Sequence, residues 1–230
     1  MTSIHILARA AMVLLVASGA ANAQITNGGF ETPTVPAGAF TNFGTGSVGI
    51  TGWTATGPSG TEVSIISTTF TQNGVAFEAQ SGNQWLDLTG DGSNSTEGVS
   101  QSVATTAGHQ YQLSFYVGNT SGGGIFGSTS TVDVLVNGVQ SFVAENSTPD
   151  TTALTWMQFT YDFVATGSST LLTLQNGDPG FDNSNGLDTV AFVDKGVVGT
   201  VPEPASTTLM LAGLGMAGAA ALRRRLRLRS

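Results

Sequence analysis

Two stretches of this chain alternate apolar and polar residues almost without a break, and a period of two leaves few folds open. In QYQLSFYV (110–117), Tyr111, Leu113, Phe115 and Val117 fall on one side, with Gln110, Gln112 and Ser114 on the other. In TWMQFTYDF (155–163), Met157, Phe159, Tyr161 and Phe163 share the side expected to face a core. Trp156, Gln158, Thr160 and Asp162 are left facing out. A helix would scatter these residues around its circumference, whereas a strand sorts them because successive side chains point to opposite faces. Further runs at 63–70, 83–88, 98–104, 131–136, 139–144, 169–175 and 187–193 are rich in β-branched and aromatic residues, with Gly, Asn, Ser and Asp between them. Asn137-Gly138 predicts a type I′ hairpin turn, which needs positive φ at both central residues. Nine or ten short strands joined by turns predict an all-β fold, a jelly-roll β-sandwich over 24–196.

Charge and cysteine content narrow what such a sandwich can do. Between 24 and 200 the only Lys or Arg is Lys195, set against fourteen Asp and Glu, a formal charge of −13. Nucleic-acid binding is excluded, since it needs basic side chains to displace counterions from phosphate. The balance fits a domain kept dispersed by self-repulsion, or one that holds cations. There is no cysteine, so neither disulfides nor thiolate metal sites contribute, and stability must come from a packed core.

The ends of the chain read as addresses. The first 23 residues carry Arg9, an apolar run over 10–17 and Ala-Asn-Ala before Gln24, the pattern of a cleavable secretory signal peptide. At the other end, 205–222 is uncharged and is followed by Arg223, Arg224, Arg225, Arg227 and Arg229. That pattern predicts one transmembrane helix over 205–222, with the basic tail 223–230 held in the cytoplasm. Val201, Pro202, Glu203 and Pro204 sit in a linker (197–204), where the prolines fix an extended segment just outside the membrane. VPEP, an apolar span and an arginine cluster together resemble the PEP-CTERM sorting signal. The resemblance implies handling by an exosortase-type peptidase, with an inner-membrane precursor passed to the cell surface or to an exopolysaccharide matrix.

In NQWLDL (83–88) alternation sends Leu86 and Leu88 inward and leaves Trp85 and Asp87 outside. Trp85, Asp87, Trp156, Gln158 and Asp162 therefore form a candidate carbohydrate-binding face, aromatic plates for the C–H face of a pyranose and polar groups for its hydroxyls. That face requires both strands to lie in one sheet, and an outer Trp covered by a loop is the alternative. The ordered segments NGGFE (27–31), ITGWTATGPSGTEVSII (50–66), SGNQWLDLTGDG (81–92), GVSQSVATTAGHQYQLSFYVGN (98–119), WMQFTYDFVATGSSTLLTLQN (156–176) and GLDTVAF (186–192) resemble exported galactose-binding-like jelly-roll proteins. That resemblance implies binding to cell-wall or matrix polysaccharide. It also implies one structural Ca²⁺ held by Glu31 and Asp188, with backbone carbonyls near Asn27 and Gly29 completing the six to eight oxygens calcium takes. The stretch GNTSGGGIFGST (118–129) departs from the family pattern and reads as a flexible insertion without chemistry of its own.

Catalytic machinery is not legible. His109, the one histidine after residue 23, reads as a solvated turn residue, and no nucleophile elbow, zinc-protease helix or phosphate loop occurs. The expectation is a non-catalytic binding protein. A structural matrix protein binding cations or other proteins, and a glycoside hydrolase, remain as alternatives.

Overall fold

The structure, a computed structural model, describes residues 24–91, 95–178, 180 and 184–198. The proposed signal peptide, the 201–204 motif, the 205–222 span and the arginine tail lie outside the described residues. Among the described residues, no helix is long and apolar enough to cross a membrane.

The described residues form thirteen strands: β1 (Phe40–Gly44), β2 (Thr54–Thr56), β3 (Glu62–Ser67), β4 (Thr71–Gln72), β5 (Val75–Ala76), β6 (Gln84–Asp87), β7 (Gly98–Ala104), β8 (His109–Asn119), β9 (Ser130–Val136), β10 (Val139–Asn146), β11 (Thr155–Val164), β12 (Ser169–Asn176) and β13 (Gly186–Val197). One sheet has the order β1-β3-β6-β13-β8-β11, the other β10-β9-β12-β7-β2, and β4-β5 is a separate hairpin. The strands within each sheet pair antiparallel. With the exception of the β9–β10 hairpin and the small β4–β5 hairpin, the chain passes from one large sheet to the other or returns by a long connection, which is the jelly-roll arrangement.

The inner faces are those that alternation selects. Leu86 and Leu88, then Leu113, Phe115 and Val117, meet Val132, Val134, Leu172 and Leu174 of the opposite sheet, all at zero exposure. The Asn137-Gly138 turn has φ of 51° and 80°, as a type I′ hairpin needs. Met157 departs from its expected place in the core: it stands on the edge strand β11 and is 39% exposed. Alternation assigns a face, but an edge strand is covered only where the opposite sheet extends over it. The short strands β1, β2, β4 and β5 carry too few residues to show a period.

Two buried glutamines attach the segment ahead of β1. Gln84 donates to the Phe30 and Pro33 carbonyls and accepts from the Val35 N–H, while Gln101 both accepts from and donates to the Thr26 backbone. A side-chain amide offers donors and an acceptor on one rigid plane, so it substitutes for a strand neighbour. Phe30, Ile25 and Val35 are thereby held in the core.

The register predicts sharply different costs for neighbouring leucines on β12. Leu174→Ala, at zero exposure, should destabilise by about 2–5 kcal/mol in urea titration. Leu171→Ala, on the outer face at 42% exposure, should stay within about 1 kcal/mol.

Candidate functional site

The outer face of the six-stranded sheet carries the residues singled out from sequence, and one indole organises it. Registers place Trp156, Gly118, Gly186, Asp87, Ser64 and Asn42 in one row across β11, β8, β13, β6, β3 and β1. Trp156 lies flat across the two glycines. A Cβ added at Gly118 would come 2.8 Å from the ring, and one at Gly186 2.9 Å from it. The indole thus reaches over two strands to Trp85, the ring centroids 5.9 Å apart and nearly perpendicular.

Trp85 is on the outer face, in the same sheet as Trp156, yet it is only 1% exposed. It does not present a free stacking plate, because the segment after β3 folds over it. Phe77 stacks on Trp85, and Phe126 meets Phe77 edge-on at 5.1 Å. The indole N–H groups are both used in fastening this cover: Trp85 donates to the Phe77 carbonyl and Trp156 to the Glu78 carbonyl. A buried indole needs such a partner for its one polar atom. The glycine-rich 118–129 stretch is part of the cover rather than a free insertion. Phe126 is 5% exposed, and a Cβ at Gly122 would strike the Thr151 carbonyl at 2.3 Å.

The covered aromatics divide the face in two. On the β8–β11 side an open strip continues in rows: Gln158 beside Tyr116, Thr160 beside Ser114 and Ala191, Asp162 beside Gln112 and Val193. Gln158, Thr160 and Asp162 are exposed and Tyr116 is half-buried. Tyr116 is the feature that the sequence reading passed over, although an aromatic at a polar position of an alternating strand was its signal. On the β1–β3–β6 side the face sinks into a cleft of about 260 Å³, lined by Phe40, Phe70, Phe126, Trp85, Asp87 and Asp91 among others. The five candidate residues are therefore split: Gln158 and Asp162 on the strip, Asp87 and Trp85 at the cleft, and Trp156 between.

Asp87 and Asp188 are buried carboxylates with no basic side chain among their partners. Burial pushes Asp87 up to about 7, against the opposing effect of hydrogen bonds from the Thr89 N–H and hydroxyl and the Asn185 N–H. Burial likewise pushes Asp188 up to about 7, with nearby Glu31 adding to the rise, although the Ser81 and Thr189 N–H groups bond its two oxygens. Glu31 accepts from the Asn83 and Gln84 N–H groups. Structure thus brings Glu31 and Asp188 together. The Asn27 carbonyl, however, is taken by the Phe30 N–H and the Trp53 indole. His109 is not a free turn residue, since its Nδ1 sits 3.0 Å from Asp194.

Fold and face define a jelly-roll protein with one elaborated sheet surface among the described residues. The chain belongs to the family described as protein of unknown function (DUF642), whose family model matches residues 23–191. Residues 200–225 match the PEP-CTERM protein-sorting motif, a signal for export and membrane-anchored sorting. No curated protein matches the chain. Among solved structures, the CBM22-1 xylan-binding domain of Xyn10C from Paenibacillus barcinonensis is 22% identical, covering 70% of this chain and 97% of that one with a TM-score of 0.44. TmCBM61 in complex with β-1,4-galactotriose is 15% identical, covering 75% and 99%, at 0.45. The exo-β-1,3-galactanase Pc1,3Gal43A of Phanerochaete chrysosporium is 15% identical, covering 69% and 30%, at 0.39.

The raised carboxyls give stability a pH dependence. The folded protein holds these protons up to about pH 7, whereas an unfolded Asp releases its proton near pH 4. The folded state therefore binds more protons across that window, and stability falls as pH rises through it. With chelator present, thermal melts should show a lower midpoint at pH 8 than at pH 5, by about 2–4 °C for each kcal/mol lost in a domain of this size. Asp87→Asn should reduce that slope and leave the part due to Asp188.

Proposed function

We propose that this is a non-catalytic carbohydrate-binding protein, released by an exosortase-type peptidase acting at Val201–Pro204 and displayed at the cell surface or in an exopolysaccharide matrix. The observation that carries the reading is the open strip, where half-buried Tyr116 pairs with Gln158, and Ser114, Thr160, Gln112 and Asp162 continue along the same two strands. A sugar ring offers C–H groups on its faces and hydroxyls at its edge. A tyrosine supplies rigid amphipathic contact area at low entropic cost, and amides and hydroxyls beside it match the edge. The strip is flat and open along the strands, which suits a polymer rather than a small molecule enclosed on all sides. Its rows contain one exposed carboxylate, Asp162, since Asp188 beside Tyr116 is fully buried, whereas glycoside hydrolysis ordinarily uses a pair of carboxyls that reach the bond. This supports binding over cleavage.

Retention of the full-length protein on immobilised polysaccharides tests the reading. Tyr116→Ala should weaken binding by about 1–3 kcal/mol, by analogy with bases stacked on aromatic side chains. Gln158→Ala should weaken it less. Full retention by a Tyr116→Ala, Gln158→Ala double variant would remove the strip as the binding surface. Failure of every polysaccharide to retain the protein would favour a structural matrix role.

The same proposal includes a structural Ca²⁺ at Glu31 and Asp188. Two carboxylates near one another, one of them buried, suit a hard cation, and Gly29 leaves room at the pair: a Cβ there would lie 3.8 Å from Asp188 Oδ1 and 3.9 Å from Glu31 Cγ. The bound ion would supply positive charge to this pair and tie the N-terminal segment to β13. Since the Asn27 carbonyl is occupied, other oxygens near the pair must complete the shell. Melting the full-length protein with calcium and with chelator should give a higher midpoint with calcium. Asp188→Asn should abolish the difference, and an unchanged wild-type midpoint would dismiss the ion.

A further inference from the structure

The cleft at the β1–β3–β6 end has a chemistry different from that of the strip. Phe40, 38% exposed, and Phe70 form one wall, meeting edge to face at 5.5 Å, and Phe126 stands in the other. Two carboxylates, Asp87 and Asp91, share this aromatic lining. Asp87 is 9% exposed, and its hydrogen bonds from Thr89 and Asn185 all fall on Oδ1, so Oδ2 accepts none of them. No Lys or Arg lines the cleft, and the one such residue between 24 and 198 is Lys195, near the far end of β13.

A carboxyl kept in such a recess without a counter-ion holds its proton to higher pH, and its ionised form is favoured again when a cation joins it. Anionic sugars would be repelled by the acidic pair, and neutral ones would leave the carboxylate uncompensated. A bare calcium ion needs six or more oxygens and gains nothing from the phenylalanine walls that Phe40, Phe70 and Phe126 present. An organic ammonium meets both demands, because aromatic faces attract cations and also pack against C–H groups. The volume, about 260 Å³, lies just below the range of about 300–1,000 Å³ for drug-sized ligands. It suits one sugar ring, with the rest of a chain running out along the face.

We propose that this cleft binds the protonated amine of an amino-sugar residue whose nitrogen is not acylated, with Asp87 and Asp91 as counter-ions and Phe40, Phe70 and Phe126 as walls. The sugar part rests on the carbohydrate-binding reading above; the amine part rests on the cleft alone. Acylation removes the charge and adds bulk, so free and N-acetylated forms of one sugar separate the two.

Calorimetric titration of the full-length protein at pH 7 with a chitosan tetramer, a chitin tetramer and spermidine tests this. The chitosan tetramer should bind about tenfold or more tighter than the chitin tetramer, since charge-assisted contacts are roughly twice as strong as neutral ones. Asp87→Asn should cut affinity for the chitosan tetramer about tenfold. Asp91→Asn and Phe40→Ala, at more open positions, should each weaken chitosan binding and keep the test decisive if Asp87→Asn does not fold. Equal affinity for the two tetramers, or no effect of any of these substitutions, overturns the proposal. Spermidine binding as tightly as chitosan would also overturn it, since the cleft would then select charge without a sugar. Tyr116→Ala losing retention on neutral polysaccharide while the tetramers bind equally would leave the strip reading standing and sink only this one.

Discussion

The indole of Trp156 lying across Gly118 and Gly186 is the contact on which the outer face of the larger sheet depends. A flat ring can span two strands only where both lack a Cβ, and the register sets the two glycines side by side under it. By reaching Trp85 it gives the β3–β6 connection a platform to fold upon. The N–H groups of both indoles then fix the backbone of that connection at Phe77 and Glu78. The centre of the sheet is consequently buried on both sides, with Leu86 against the inner core and Trp85 against the outer cover. This second core gives the strip and the cleft their separate boundaries.

Electrostatics follow from the same covering. The domain has many acidic residues and almost no bases, so carboxylates drawn under loops acquire no ion-pair partner. Asp87 and Asp188 instead take backbone and hydroxyl donors, which offset part of the cost of burial without cancelling it. Such positions hold an unspent attraction for positive charge. Amides, by contrast, hold the N-terminal segment in place: Gln84 and Gln101 make neutral, bidentate contacts that do not vary with pH.

His109 illustrates how a turn residue gains structure from a distant strand. It is 85 positions from Asp194, yet pairs with it at 3.0 Å and stacks beside Tyr111. The pair joins the start of β8 to the end of β13, next to the Tyr111–Phe192 stack. No local pattern around Gly108-His109 encodes that partner, because it arises from strand register.

Local sequence determined the strands and their inner faces. Alternation in 110–117 and 155–163 set Phe115 and Phe159 toward the other sheet, and Asn137-Gly138 set a hairpin, because side-chain direction and turn geometry depend on neighbours a few residues away. It also determined that Trp85 and Trp156 lie outside that core, and that residues 200–225 carry a sorting motif. What covers the outer face was decided only in three dimensions. Phe77 and Phe126 come from loops whose glycines and polar residues show no period. Trp156 meets Trp85 through a strand order of β6-β13-β8-β11 that no local pattern contains. The same order brought Glu31 to Asp188 and put Tyr116 between Gln158 and Asp188, since pairing between distant segments is set by the packing of the whole sandwich.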